Sequence, residues 1–218
     1  MIAAARRPAI GDGIWLILPV KELDLAKDRL SSVLAPHDRR LVMHRLVERT
    51  FEVATVAAAR ERALARVLVV TSDPDVERMA LARDFDLLPD PGADHSAAAA
   101  AGSRHAEAGG ARAVVMVASD LPLLAPGDIR GLVTHLVQGS ALIAADRSGR
   151  GTNAIAVAPP HFRFSFGPDS LARHVAEAQR RGLATKVTRD VGLAADLDTP
   201  EDLEWLAGLL FARARATS

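Results

Sequence analysis

A chain of 218 residues, 49% of them apolar, can bury a sizeable core, and no Pro/Gly/Ser-rich linker or long charge run divides it, so a single domain over 1–218 is expected. Its 27 Lys plus Arg balance 27 Asp plus Glu; this excludes a global field that would hold nucleic acid or an anionic membrane, but not a local anion site. The absence of cysteine excludes disulfides, thiolate metal sites and thiol nucleophiles, and fits a reducing cytoplasm.

The start, MIAAARRPAIGDGIWLILPVK, has the basic pair and apolar run of a signal peptide, but the run from Ile14 to Val20 is only seven residues long and stops at Lys21. It reads as a first buried strand, preceded by a disordered tail over 1–12. No apolar run reaches a membrane-spanning length. Lys21, Lys27 and Arg29 follow the strand in PVKELDLAKDRL, and lone surface lysines are the plain alternative to an anion site there. A helix over 36–60 comes next, with Val42, Leu46, Val53 and Ala57 on one stripe. Strands are then expected at 66–72, 85–89, 111–120, 141–146, 153–159, 183–189 and 193–198, and helices at 75–83, 96–108, 126–138, 168–181 and 200–213. The alternation argues an α/β fold with a mainly parallel sheet flanked by helices, and the RSGRGT hairpin makes that sheet mixed. Helix propensity alone accounts for the alanine run at 97–101.

Ligands of open α/β sheets gather at the carboxyl ends of parallel strands. AVVMVAS ends there in Asp120, which either caps the following turn or binds a metal. ADLDTPEDL carries Asp196 and Asp198 around one leucine. In an extended strand these carboxylates would sit side by side and repel, so a positive partner is expected nearby. Oxygen ligands of this kind suit Mg²⁺, although Asp198 or Thr199 also reads as the N-cap of the next helix. Gly167, Pro168, Asp169 and Ser170 in FSFGPDSLARH form a helix start, either an anion site or an ordinary cap. Gly149, Gly151 and Thr152 form a turn that a ligand can approach closely. His44, His135 and His174 lie in helical runs and read as surface or cap residues. No P-loop or dinucleotide fingerprint is present.

In this order, PVKELDLAKDRL, ASDLPLL, AADRSGRGTNAIAV, FSFGPDSLARH and ADLDTPEDL resemble the guanylyltransferases of coenzyme F420 biosynthesis, from Trp15 to about Leu206. The resemblance implies a glycosyltransferase-A-like nucleotidyltransferase fold and transfer of GMP from GTP to the phosphate of phosphoenolpyruvate, 2-phospho-L-lactate or 3-phospho-D-glycerate. It implies two Mg²⁺ ions on Asp120, Asp196 and Asp198, acceptor contacts from Thr152, Gly167 and Ser170, and a triphosphate site at Lys21, Lys27 and Arg29. A homodimer is compatible with it, and neither nucleic acid nor membrane is an expected partner. The chain departs from the family pattern at ADHSAAAAAG, where a Gly-Leu-Asn step near the nucleotide base is replaced by Asp94, His95 and Ser96. Other readings are a nucleotidyltransferase acting on a sugar phosphate or molybdenum-cofactor precursor, and a non-catalytic nucleotide-binding protein of the same fold.

Overall fold

The computed structural model describes residues 13–25 and 27–216, so the expected tail over 1–12 lies outside the described residues. Seven strands form one sheet: β1 (Ile14–Pro19), β2 (Leu64–Thr71), β3 (Asp86–Pro89), β4 (Ala113–Val117), β5 (Ser140–Ala145), β6 (Thr152–Ala158) and β7 (Ala184–Thr188). Their order is β3-β2-β1-β4-β6-β5-β7. β1 pairs parallel with β2 and β4, whereas β6 runs antiparallel to both β4 and β5. The sheet is mixed as expected, and the cause is the 146–151 turn that sends β6 back beside β4.

β1 is buried at every position because both faces of the sheet are covered. Its even residues, Ile14, Leu16 and Leu18, pack with Met43, Leu46, Val47 and Phe51 of α1 (Pro36–Arg60), Val76 of α2 (Pro74–Leu81) and Ile129 of α4 (Pro126–Thr134). Its odd residues, Trp15 and Ile17, face Ala98, Ala99 and Ala106 of α3 (His95–Ala108) and share a second cluster with Ala178 of α5 (Ser170–Arg180). A side chain at Gly102 would place its Cβ 2.8 Å from Ile17 Cγ2. The alanine-rich stretch therefore lets α3 lie close to the sheet, a packing requirement beyond helix propensity.

The expected strand at 193–198 is not one. A short helix, α6 (Val191–Ala194), is followed by irregular backbone up to α7 (Pro200–Ala216). β5 already has partners on both edges, β6 and β7, so no interior position is left for another strand. The segment instead crosses the end of the sheet, anchored by Leu197 N–H to Asp120 C=O at 3.2 Å and by the buried Leu197 side chain. Helix ends also differ: α2 stops at Leu81, α4 stops at Thr134, α5 begins at Ser170 after Asp169 takes a left-handed conformation, φ 54°, and α7 runs on to Ala216. Among the described residues no helix is long and apolar enough to cross a membrane.

Candidate active site

The site lies at the carboxyl ends of β1 and β4, where antiparallel β6 starts. After β1 the chain makes two single 3₁₀ turns, Leu23–Leu25 and Asp28–Leu30. Leu23 N–H donates to Asp73 Oδ2 at 2.9 Å, and the same carboxylate caps α2 through Asp75 and Val76 N–H. Lys27 stands between the two turns with φ 63°, and this left-handed backbone accompanies the return of its side chain into the fold. Its Nζ donates to Asp120 Oδ2 and to Asp198 Oδ1, each at 2.6 Å, with only 4% of the side chain exposed.

The electrostatics follow from this placement. Burial alone would pull the Lys27 ammonium toward neutrality, but Asp120 and Asp198 outweigh it and hold the ammonium charged beyond its ordinary range. Asp120 is half-buried, and desolvation favours its neutral form, yet Lys27 brings its carboxyl below the usual carboxylate range. Asp196 has no such partner: burial, then the charge of Asp120, push it up to about 6, against a hydrogen bond from Asn153 Nδ2 at 3.2 Å. The positive partner expected for the acidic pair is therefore Lys27, serving Asp198 and the distant Asp120 but not Asp196. Residues 195–198 pair with no strand, yet both carboxylates still face the site, with Leu197 between them buried on the other side.

Two adjoining cavities open on these groups. One, about 480 Å³, is lined by Arg29, Arg147, Arg150, Thr152, Gly167 and Ser170, with Asp196 and Asp198 on its inner side. The other, about 350 Å³, is lined by Lys21, Lys27, His95, Ser119 and Asp120, and shares Thr152, Asn153, Gly167, Asp196 and Asp198 with the first. The structure thus gathers all nine sequence-predicted site residues around one opening, but it separates the basic set: Lys21 and Lys27 line the smaller cavity, Arg29 the larger. His95, at the departure from the family pattern, packs edge-on against Phe166 at 4.5 Å between ring centres. Ser96 Oγ accepts from Phe166 N–H at 2.9 Å.

Around the larger cavity, Gly167 has φ 98°, a conformation that favours glycine, and Ser170 N–H closes the turn on Gly167 C=O. Leu171 N–H donates to Arg150 C=O at 2.9 Å, which ties the start of α5 to the 146–151 turn. The cap of α7 is Thr199 rather than Asp198: Asp202 N–H donates to Thr199 Oγ1, and Asp202 Oδ2 accepts from the N–H groups of Asp198 and Thr199. Asp202 also pairs with Arg147, whose guanidinium lies 5.3 Å from the Trp205 ring.

Four contributors were missed from the sequence. Asn153 holds Leu193 C=O at 3.0 Å as well as Asp196, tying β6 to the acidic segment. Arg147 and Asp202 form the rim just described. His174, read as a surface or cap residue, is fully buried. The buried positions of α5 give the missed signal, since Ser170, His174, Glu177 and Ala178 repeat at helical spacing and place His174 on the inward face.

Residues 14–209 match the family model described as "Guanylyl transferase CofC like". The chain belongs to that family. A phosphoenolpyruvate guanylyltransferase of Chloroflexus aggregans is 35% identical over 191 residues, covering 87% of this chain and 95% of its own length. A 2-phospho-L-lactate guanylyltransferase of Methanothermobacter thermautotrophicus is 30% identical, covering 86% and 81%. The fold of this CofC-like chain is that of the nucleotidyltransferases: a nucleotidyl transferase of Methanothermobacter superposes with TM-score 0.63 at 14% identity, over 93% of this chain and all of that one.

The family fold implies a divalent metal, and the CofC-like site fits one by donor chemistry. Its acidic groups are hard oxygen donors, and two of them already close on a cation, the Lys27 ammonium. The third, Asp196, is a half-buried carboxyl whose neighbours are mostly negative. Among the described residues no three such groups converge as a ligand cluster, and Lys27 bridges Asp120 and Asp198.

Proposed function

We propose that this CofC-like chain transfers GMP from GTP to the phosphate of a small three-carbon phospho-acid, the activating step of coenzyme F420 biosynthesis. An oxygen of the acid's phosphate attacks the α-phosphorus of GTP, a new P–O bond forms, the α–β bridge breaks, and pyrophosphate leaves. The observation that carries the reading is the meeting of two polar cavities at one cluster of three carboxylates and a buried lysine. The relatives' names supply the nucleotide and acceptor classes.

The smaller cavity takes the triphosphate, with Lys21 and Lys27 as countercharge. The larger takes the acid, with Thr152, Ser170 and the Gly167 turn as hydrogen-bonding groups and Arg29, Arg147 and Arg150 as positive rim. The attacking oxygen is already deprotonated near neutral pH, so no general base is required, and the barrier is one of alignment and charge. Asp120, Asp196 and Asp198 would hold Mg²⁺, two ions in our reading, and bound Mg²⁺ would neutralise the phosphates that must approach each other. Asn153 and Asp202 fix the acidic segment; Phe166 and His95 wall the cavity from the α3 side.

Purified protein with GTP, Mg²⁺ and each of the three acids in turn tests this, with phosphoenolpyruvate first. Pyrophosphate release and a product of the acid's mass plus GMP are expected, and Asp120→Asn should lower turnover by at least about a hundredfold while the circular dichroism spectrum is retained. A chain that forms product from another nucleotide but not from GTP refutes the guanylyl assignment.

A further inference from the structure

His174 is the one fully buried histidine among the described residues, and both of its ring nitrogens are engaged. Ser165 N–H donates to Nε2 at 2.8 Å. A backbone amide can only donate, so Nε2 carries no proton. Nδ1 lies 3.1 Å from Thr152 Oγ1. In a neutral ring the proton must then sit on Nδ1 and be donated to the threonine oxygen. Thr152 has no other side-chain hydrogen-bond partner among the described residues, and it lines both cavities. Its own hydroxyl hydrogen is thus left without a protein acceptor.

We propose that His174 is a positioning residue: with Nε2 held by Ser165 and Nδ1–H donating to Thr152 Oγ1, it turns the Thr152 hydroxyl hydrogen into the cavity as a donor to the anionic acceptor. Without that constraint the hydroxyl could satisfy itself on the imidazole and offer a lone pair, which repels a carboxylate or phosphate. The hydrogen bond from Ser165, two residues before Gly167, holds the ring in this orientation. The surroundings keep the ring neutral: burial first, then the charges of Arg173 on its own helix and of His95 on α3, hold it down at about 4. Phe162 and Phe166 fill its flanks, with ring centres at 6.1 Å and 4.9 Å.

The inference rests on the acceptor reading of the larger cavity, and its test separates the two. Nitrogen NMR of the histidine side chains in the unliganded protein should show His174 neutral and protonated on Nδ1 at pH 7. An Nε2-protonated ring, or an imidazolium, overturns the proposal whether or not the chain has guanylyltransferase activity. In kinetics, His174→Phe should raise KM for the acid at least about tenfold, leaving KM for GTP within about twofold of the parent. His174→Asn, which can place an amide donor near the Nδ1 position, should recover part of that loss. In the Thr152→Val background His174→Phe should cost little more, because the group it orients is already gone. Equal increases in both KM values, or additive losses in the double variant, show a merely structural histidine. If the parent makes no product with any acid, the functional reading fails and the tautomer measurement decides the positioning role.

Discussion

Lys27 is the residue whose removal separates the electrostatic account from ordinary packing. It is nearly sealed from solvent, and its ammonium is the cation nearest to both Asp120 and Asp198. Lys27→Met keeps the stem but leaves two partly exposed carboxylates without their cation, a change that should destabilise the fold by less than the roughly 3–5 kcal/mol lost with one partner of a fully buried pair. Added Mg²⁺ should then raise the melting temperature of this variant more than that of the parent, because the ion supplies the missing charge. An equal response in the two proteins contradicts the shared site. His174 gives a second prediction at this scale. Its folded value of about 4 lies below the ordinary 6.5, so the unfolded chain binds the extra proton between these values. Stability is complete above 6.5 and falls as pH drops toward 4, by an amount on the order of 3 kcal/mol. Urea unfolding at pH 7 and pH 5 measures this limb, and His174→Asn should flatten it. The acidic pair and its need for a positive partner were legible in the sequence because they are local. The identity of that partner was not, since Lys27 and Asp198 are 171 residues apart and meet only through the fold.

At the scale of elements, the alternation of apolar and amphipathic runs identified each of the seven strands and the order in which helices separate them. It failed at 193–198, where an apolar pattern with period 2 belongs to a short helix and a segment that crosses the end of the sheet, Leu197 N–H bonding Asp120 C=O. Pattern reports which side chains are buried, not whether the backbone pairs with a strand. The alanine run shows the complementary limit: propensity explains why α3 is helical, and the 2.8 Å approach to Ile17 explains why its inner face stays small. Gly102→Leu should therefore overpack the α3 face, costing about 1–3 kcal/mol in urea unfolding. A variant of unchanged stability would mean that α3 sits further from the sheet than described. The cap of α7 was legible only as a choice between two residues, and Thr199 is favoured because its hydroxyl and the Asp202 carboxylate satisfy each other's backbone donors.

For the molecule as a whole, the balanced charge conceals a local arrangement: basic side chains rim two cavities that share carboxylates at their floor. Two polyanions brought together at such a point need countercharge more than they need acid–base groups, and the site is built accordingly. The segments that form it, 21–29, 118–120, 146–153, 165–170 and 195–199, coincide with the sequence motifs that carried the resemblance, whereas the residues that hold them in place lie partly outside those motifs. β7 is a half-exposed edge strand at one end of the sheet, remote in strand order from β1 and β4. The central claim is transfer of the α-phosphoryl nucleotide to an acid. It is tested most directly by incubating the protein with Mg²⁺, each of the three acids in turn and GTP labelled at the α-phosphate, then measuring label and pyrophosphate together. The account predicts label in a product of the acid's mass plus GMP, with one pyrophosphate released per product and neither formed by Asp120→Asn. Label recovered only as GTP with each of the three acids, or released as GDP with free phosphate, would contradict it.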